Sequence, residues 1–219
     1  MKAPFYCFST LRCLHRFVQE KRGFLASSPL ENIEYHACIR TSTKVTDDGA
    51  RILSKANSIR NLSFWGCSIT DDCIDAIAEL ASLCSLDLQF TQVSDMGLAR
   101  LKQLKDLRVL SITGSQVTDE GLAHLKEMDR LTHLQLAETG ITDEGLAHIP
   151  AMRSIVRLNL AKTAITDACL KHLAMVRGLQ EVDLSGTNVT SEGYASLQAQ
   201  LPRLTLKGRP GDLLAAKSS

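Results

Sequence analysis

Apolar positions along this chain fall into two rhythms that take turns. In Leu83-x-x-Leu86-x-Leu88 hydrophobic and polar residues alternate, the signature of a short strand with one buried face. A few residues later the spacing changes to three, as in Leu98/Leu101/Leu104 and Leu122/Leu125/Met128. That spacing predicts one inward face of a helix of about two to three turns. Between the two rhythms stands a polar pair: Thr46-Asp47, Thr70-Asp71, Ser94-Asp95, Thr118-Asp119, Thr142-Asp143, Thr166-Asp167 and Thr190-Ser191. The hydroxyl residue suits a helix N-cap, and the acids after it suit the positive end of the helix dipole. Each unit therefore reads as strand, turn, helix.

The polar pairs recur every 24 residues with no residue inserted or lost. A fixed period in this range marks a solenoid, in which each unit buries its core against its neighbours. Successive units contribute Ile59/Leu62/Phe64, Leu83/Leu86/Leu88, Leu107/Leu110/Ile112, Leu131/Leu134/Leu136, Ile155/Leu158/Leu160 and Leu179/Val182/Leu184. Upstream, Tyr35, Cys38, Arg40, Thr43 and Val45 fit weakly; downstream, Leu201-x-x-Leu204-x-Leu206 opens a strand after a unit two residues short.

The wording L-x-x-L-x-L-x-x-(T/C/S)-x-(I/V)-T-D-x-G-L resembles a leucine-rich repeat protein. It is most similar to the ribonuclease-inhibitor-like and cysteine-containing subclasses, to bacterial repeat proteins with "TDEGLAHL" units and to the receptor half of F-box proteins. The resemblance covers residues 35–206. It implies an α/β fold, a right-handed solenoid forming a short arc with a parallel concave sheet and convex helices. Seven or eight strands at about 4.8 Å would span roughly 35 Å. The turn column holds mostly Thr, with Cys67 alone in the Cys form; a Thr hydroxyl there is expected to bond a neighbouring backbone amide.

Three parts follow: residues 1–34 as an N-terminal capping segment, 35–206 as the repeat domain of about seven units, and 207–219 as a tail. Residues 9–22, with Leu11, Leu14, Phe17 and Val18 on one stripe, predict an amphipathic helix that covers the edge of the first strand. Residues 1–19 carry Lys2, Arg12 and Arg16 and no acid, a composition that also fits a mitochondrial targeting segment.

The formal net charge is only +1, with basic ends around an acidic repeat body, which does not suggest a nucleic-acid protein. No apolar run approaches the roughly 20 residues of a membrane span. The seven cysteines lack C-x-x-C spacing, and Cys73 and Cys169 stand where other units have Gly97, Gly121 and Gly145. They read as reduced core residues of a cytoplasmic protein, or a mitochondrial one if the source is eukaryotic.

Residues one period apart form columns. The exposed strand columns read Ser63, Asp87, Ser111, Gln135, Asn159, Asp183 down the centre, flanked by the Asn61 and Trp65 columns, with Phe90, Glu138 and Lys162 beside them. They vary while the core positions stay apolar, as a partner surface does. Trp65 and Phe90 are expected anchors, with Asp87, Gln135, Arg157 and Glu181 completing a concave binding face. The alternative for Trp65 is packing under the N-terminal helix. The acidic column from Asp47 to Asp167 is expected to complement helix dipoles, with a docking rim for a basic protein as the alternative. His124, His148 and His172 form a third column. Helices about 8–10 Å apart do not bring such side chains onto one zinc, so no metal is expected.

No P-loop, G-x-S-x-G, H-E-x-x-H or kinase glycine loop occurs in the sequence. The expected function is a non-catalytic module, without cofactor, that binds a protein or peptide. One alternative is a structural adaptor or assembly subunit of a larger complex docked by its basic ends, with a mitochondrial setting included. Another is an effector or ubiquitin-ligase-type receptor lacking a visible F-box.

Overall fold

The apolar alternation builds one sheet of parallel strands, each a few residues long because the next turn follows at once. The computed structural model of the chain describes residues 5–8, 35–39, 45–53 and 59–208. Within them lie nine strands: β1 Phe5–Phe8, β2 Tyr35–Ile39, β3 Ile59–Ser63, β4 Ser85–Asp87, β5 Val109–Ser111, β6 His133–Gln135, β7 Arg157–Asn159, β8 Glu181–Asp183 and β9 Thr205–Lys207. They pair in chain order, every neighbour parallel. The fold is an α/β right-handed solenoid, with helices on the face opposite the exposed side of the sheet.

From β3 to β8 the register follows the 24-residue count: Leu62, Leu86, Leu110, Leu134, Leu158 and Val182 stand side by side. Each is at most 2 % exposed. Burying one such side chain contributes about 1.5–3 kcal/mol, so this stripe and its neighbours supply most of the driving force.

The helical segments are α1 Asp47–Leu53, α2 Ile74–Ala78, α3 Asp95–Leu101, α4 Asp119–Leu125, α5 Leu170–Ala174 and α6 Ser191–Gln200. A 3-10 segment, Gly145–Ala151, replaces an α-helix between β6 and β7. Most are shorter than the two to three turns expected. Leu146, Ile149 and Met152 recur every three residues, which matches the three-residue turn of a 3-10 helix, and Pro150 within it has no N–H to give. No helix among the described residues is long and apolar enough to cross a membrane.

The N-terminal side departs from the repeat count. β1 lies within the stretch expected to be a cap, so the sheet continues past the first repeat. Between β2 and β3 the register shifts by one residue after Tyr35, so Leu62 pairs with Ala37 rather than with Cys38. That slip is why the upstream unit fits the repeat pattern weakly. The helix expected over 9–22 and the tail beyond Gly208 lie outside the described residues.

Candidate functional site

The first residue of each acidic pair is a clamp between units. Asp119 Oδ1 accepts the backbone N–H of Thr142 at 2.8 Å, and its Oδ2 accepts the Thr142 hydroxyl at 2.5 Å. The same double bond joins Asp47 to Thr70, Asp71 to Ser94, Asp95 to Thr118, Asp143 to Thr166 and Asp167 to Thr190, at 2.5–2.9 Å. The Thr hydroxyl then accepts an N–H of its own helix start, as Asp72 N to Thr70 Oγ1 at 3.2 Å. Thr70, Ser94, Thr142, Thr166 and Thr190 are thus donors to the preceding unit and acceptors within their own, while Thr118 makes the inter-unit bonds without a cap bond in its own helix. These carboxylates are occupied by inter-unit bonds as well as sitting at helix starts.

The clamp also explains the glycines. A Cβ at Gly97, Gly121, Gly145 or Gly193 would fall 2.1–2.4 Å from an oxygen of the clamping Asp one unit earlier. Where Cys replaces Gly, the helix opens as a 3-10 turn instead, Asp71–Cys73 and Asp167–Cys169. The two thiols are fully buried and donate to Thr70 O and Thr166 O at 3.5 and 3.2 Å. Burial, and the clamping carboxylates Asp47 and Asp143 beside them, push both well above the ordinary thiol range, Cys169 to about 12.

The Thr/Ser turn column behaves differently from expectation. Thr91, Ser115, Thr139, Thr163 and Thr187 donate their hydroxyls to a carbonyl three residues back, at 2.5–2.8 Å, rather than accepting from an amide. Their ladder is internal to each unit.

Directly after each strand the chain enters the left-handed region. Gly66, Phe90, Gly114, Glu138, Lys162 and Gly186 all have φ between 54° and 71°, one per unit. The N–H of each turn residue from 66 to 162 donates to a carbonyl of the next unit, Phe90 to Thr113 at 2.8 Å, so the ladder fixes this conformation. A left-handed φ is costly for a bulky residue, and the Phe90 side chain is held outward by it.

The expected anchors fall into two groups on the exposed sheet face. At the N-terminal end, Trp65 and Phe90 are 43 % and 46 % exposed and meet edge to face with ring centroids 6.1 Å apart. Phe90 lies over the next unit: a Cβ on Gly114 would come within 2.5 Å of its ring. Asp87 is half-buried; it accepts from the Ser63 hydroxyl at 2.9 Å and from the Gln89 N–H at 3.1 Å. Part of its role is therefore to close the turn after β4, as Asn159 and Asp183 do after β7 and β8.

At the C-terminal end, Gln135, Arg157 and Glu181 line a hollow of about 200 Å³ with His133, Asn159 and Lys207. Glu181 bridges two cations, Arg157 at 3.5 Å and Lys207. The Lys207 hydrogen bond holds Glu181 below the usual carboxylate range and raises Lys207 in turn. Burial, then the Arg157 charge, lowers His133. Between the two groups Ser111, Thr113 and Ala137 are buried, so the predicted face is not one continuous exposed surface. His124 sits in the last turn of α4 and His172 in that of α5, while His148 lies on the 3-10 segment.

A Leucine Rich repeat family model matches residues 103–125 and 131–149. The chain carries leucine-rich repeats. No curated protein sequence matches it. Two solved structures show the same solenoid. One is an internalin (inlF) from Listeria monocytogenes, at 20% identity, TM-score 0.66, over 85% of this chain. The other is an internalin C2 (inlC2) from the same species, at 22% identity, TM-score 0.65, over 94%. The repeat chain spans 58% of the first and 79% of the second. The matches support leucine-rich repeats and the solenoid fold, and leave the subclass unassigned.

Proposed function

We propose that this chain is a non-catalytic interaction module that takes a protein or peptide partner on its concave sheet face. The observation that carries the reading is the Trp65–Phe90 pair. Among the described residues nearly every large apolar side chain is buried, yet these two rings stand exposed and in mutual contact on that face. Exposed aromatics fixed by the backbone bind with little loss of freedom, which favours them as anchors. Gln135, Arg157 and Glu181 supply a second, polar contact zone, where satisfied ion pairs lend selectivity more than affinity. Among the described residues Cys73, Cys84 and Cys169 stand outside any disulfide, which suits a reducing compartment and supports a cytoplasmic setting.

The test is partner capture from native lysate with the wild-type chain and with Trp65→Ala/Phe90→Ala, with both proteins first shown to be folded. A partner held by the wild type and lost by the double variant supports the reading. A partner held equally by both moves the site off this face.

A further inference from the structure

We propose that the Trp65–Phe90 ridge is a cation-recognition site, taking an arginine or lysine side chain from a basic segment of a partner protein. The proposal rests on the concave-face reading above and adds the chemistry of the occupant. Three observations converge on it.

The first is the geometry of the rings. An edge-to-face pair 6.1 Å apart leaves aromatic faces turned in two directions, and both rings remain nearly half exposed. An aromatic face attracts a guanidinium or ammonium group through its quadrupole, Trp most strongly. The second is Asp87, on the strand between the two aromatics in sequence. Its two oxygens each accept one internal hydrogen bond, which orients the carboxylate and leaves lone pairs for an incoming donor.

The third is charge. The sheet positions flanking the buried Leu62, Leu86 and Leu110 are Asn61, Ser63, Ser85, Asp87, Val109 and Ser111, and among these six only Asp87 is charged. The other acids of these repeats belong to the helix layer, where Asp71 and Asp95 hold clamps and Asp75 pairs with Arg100. A carboxylate beside the rings favours a basic partner and disfavours an acidic one.

Trp65 is the only tryptophan of the chain, so its fluorescence reports this site alone. The full chain is titrated with an oligo-arginine peptide, an oligo-glutamate of equal length and a neutral Gly-Ser peptide. The expected result is a saturable change with oligo-arginine only, weakened by added salt. Phe90→Ala is expected to weaken it about fivefold or more, and Asp87→Asn to weaken it similarly, while Glu144→Gln, an exposed acid on a distant repeat, leaves it unchanged. Binding that ignores Phe90→Ala shows general adhesion to acids and overturns the proposal. So does an equal response to the neutral or acidic peptide. A response confined to concentrations at which the chain self-associates by sedimentation assigns the ridge to a second copy, and also overturns it. Failure here with a captured partner still lost by the Trp65/Phe90 double variant leaves the interaction module standing and discards only the cation.

Discussion

Phe90, Glu138 and Lys162 occupy a backbone position that three sister units fill with glycine. The left-handed conformation costs a non-glycine residue about 1–2 kcal/mol. Lys162 recovers little of that, since its ion pair with Glu138 at 2.6 Å is mostly exposed and worth well under about 1 kcal/mol. Lys162→Gly is therefore expected to raise stability by about 0.5–1 kcal/mol in a urea melt. Phe90 recovers more through its contacts with Trp65 and Gly114, about 0.5–1.5 kcal/mol for the ring pair. Phe90→Gly is expected to leave stability within about 0.5 kcal/mol of wild type and to lose partner binding, which separates anchor from scaffold. The exposure of Trp65 and Phe90 was legible from the sequence, since both belong to variable columns. Their backbone strain was not, because Phe, Glu and Lys give no local signal for a left-handed turn. The available clue was Gly66, Gly114 and Gly186 in the same column.

Among the elements, the junction of turn and helix is where one unit grips the next. Its hydrophobic rhythm and its caps could be read directly from the chain. The clamp could not, because the carboxylate that serves as a first-turn acid in one unit spends both oxygens on the cap of another, 23 residues away. Nor could β1 be read, since Phe5 pairs with His36 at a separation unrelated to the repeat. Gly121→Ala tests the clamp's need for space. The new methyl would lie 2.4 Å from Asp95 Oδ1 and 2.9 Å from Val117 Cγ1, within the body of α4. A loss of about 1–3 kcal/mol is expected, and it should shrink when Asp95→Ala is already present, as a double-mutant cycle would read. The cysteine units make a second prediction. Cys169 stays protonated in the folded chain up to about 12, against an ordinary value of 9.0. The unfolded chain ionises first, so stability is intact below pH 9 and falls as pH rises towards 12. Cys169→Ala is expected to flatten part of that alkaline loss in melts across this window. Slow reaction of native Cys73 and Cys169 with a thiol reagent, relative to half-buried Cys84, is the companion measurement.

The whole molecule is a line of units that touch only their neighbours, so its stability is a sum of unit and boundary contributions. Bonds between neighbouring repeats include the strand ladder with its continuation through the left-handed turns, a second backbone ladder such as Gln116 N to Val93 O at 3.0 Å, and the Asp clamp. Removing a clamp should therefore matter according to where it sits and how far water can replace it. Asp119 and Thr142 are half-buried in the middle of the array, whereas Asp167 and Thr190 are exposed near its described end. Asp119→Ala strands an N–H and a hydroxyl that water reaches poorly, at a cost of about 1–3 kcal/mol. It also weakens the coupling between the two halves. Asp167→Ala exposes the same groups to solvent and is expected to cost under about 1 kcal/mol. Urea melts should show the larger midpoint shift for Asp119→Ala, with a shallower transition because the halves no longer unfold as one. Amide exchange should quicken on both sides of that boundary, in β5 and β6 alike, and remain slow around β3. Equal shifts for the two variants would mean that the clamps act only as helix caps, and that the sheet alone carries the coupling along the arc.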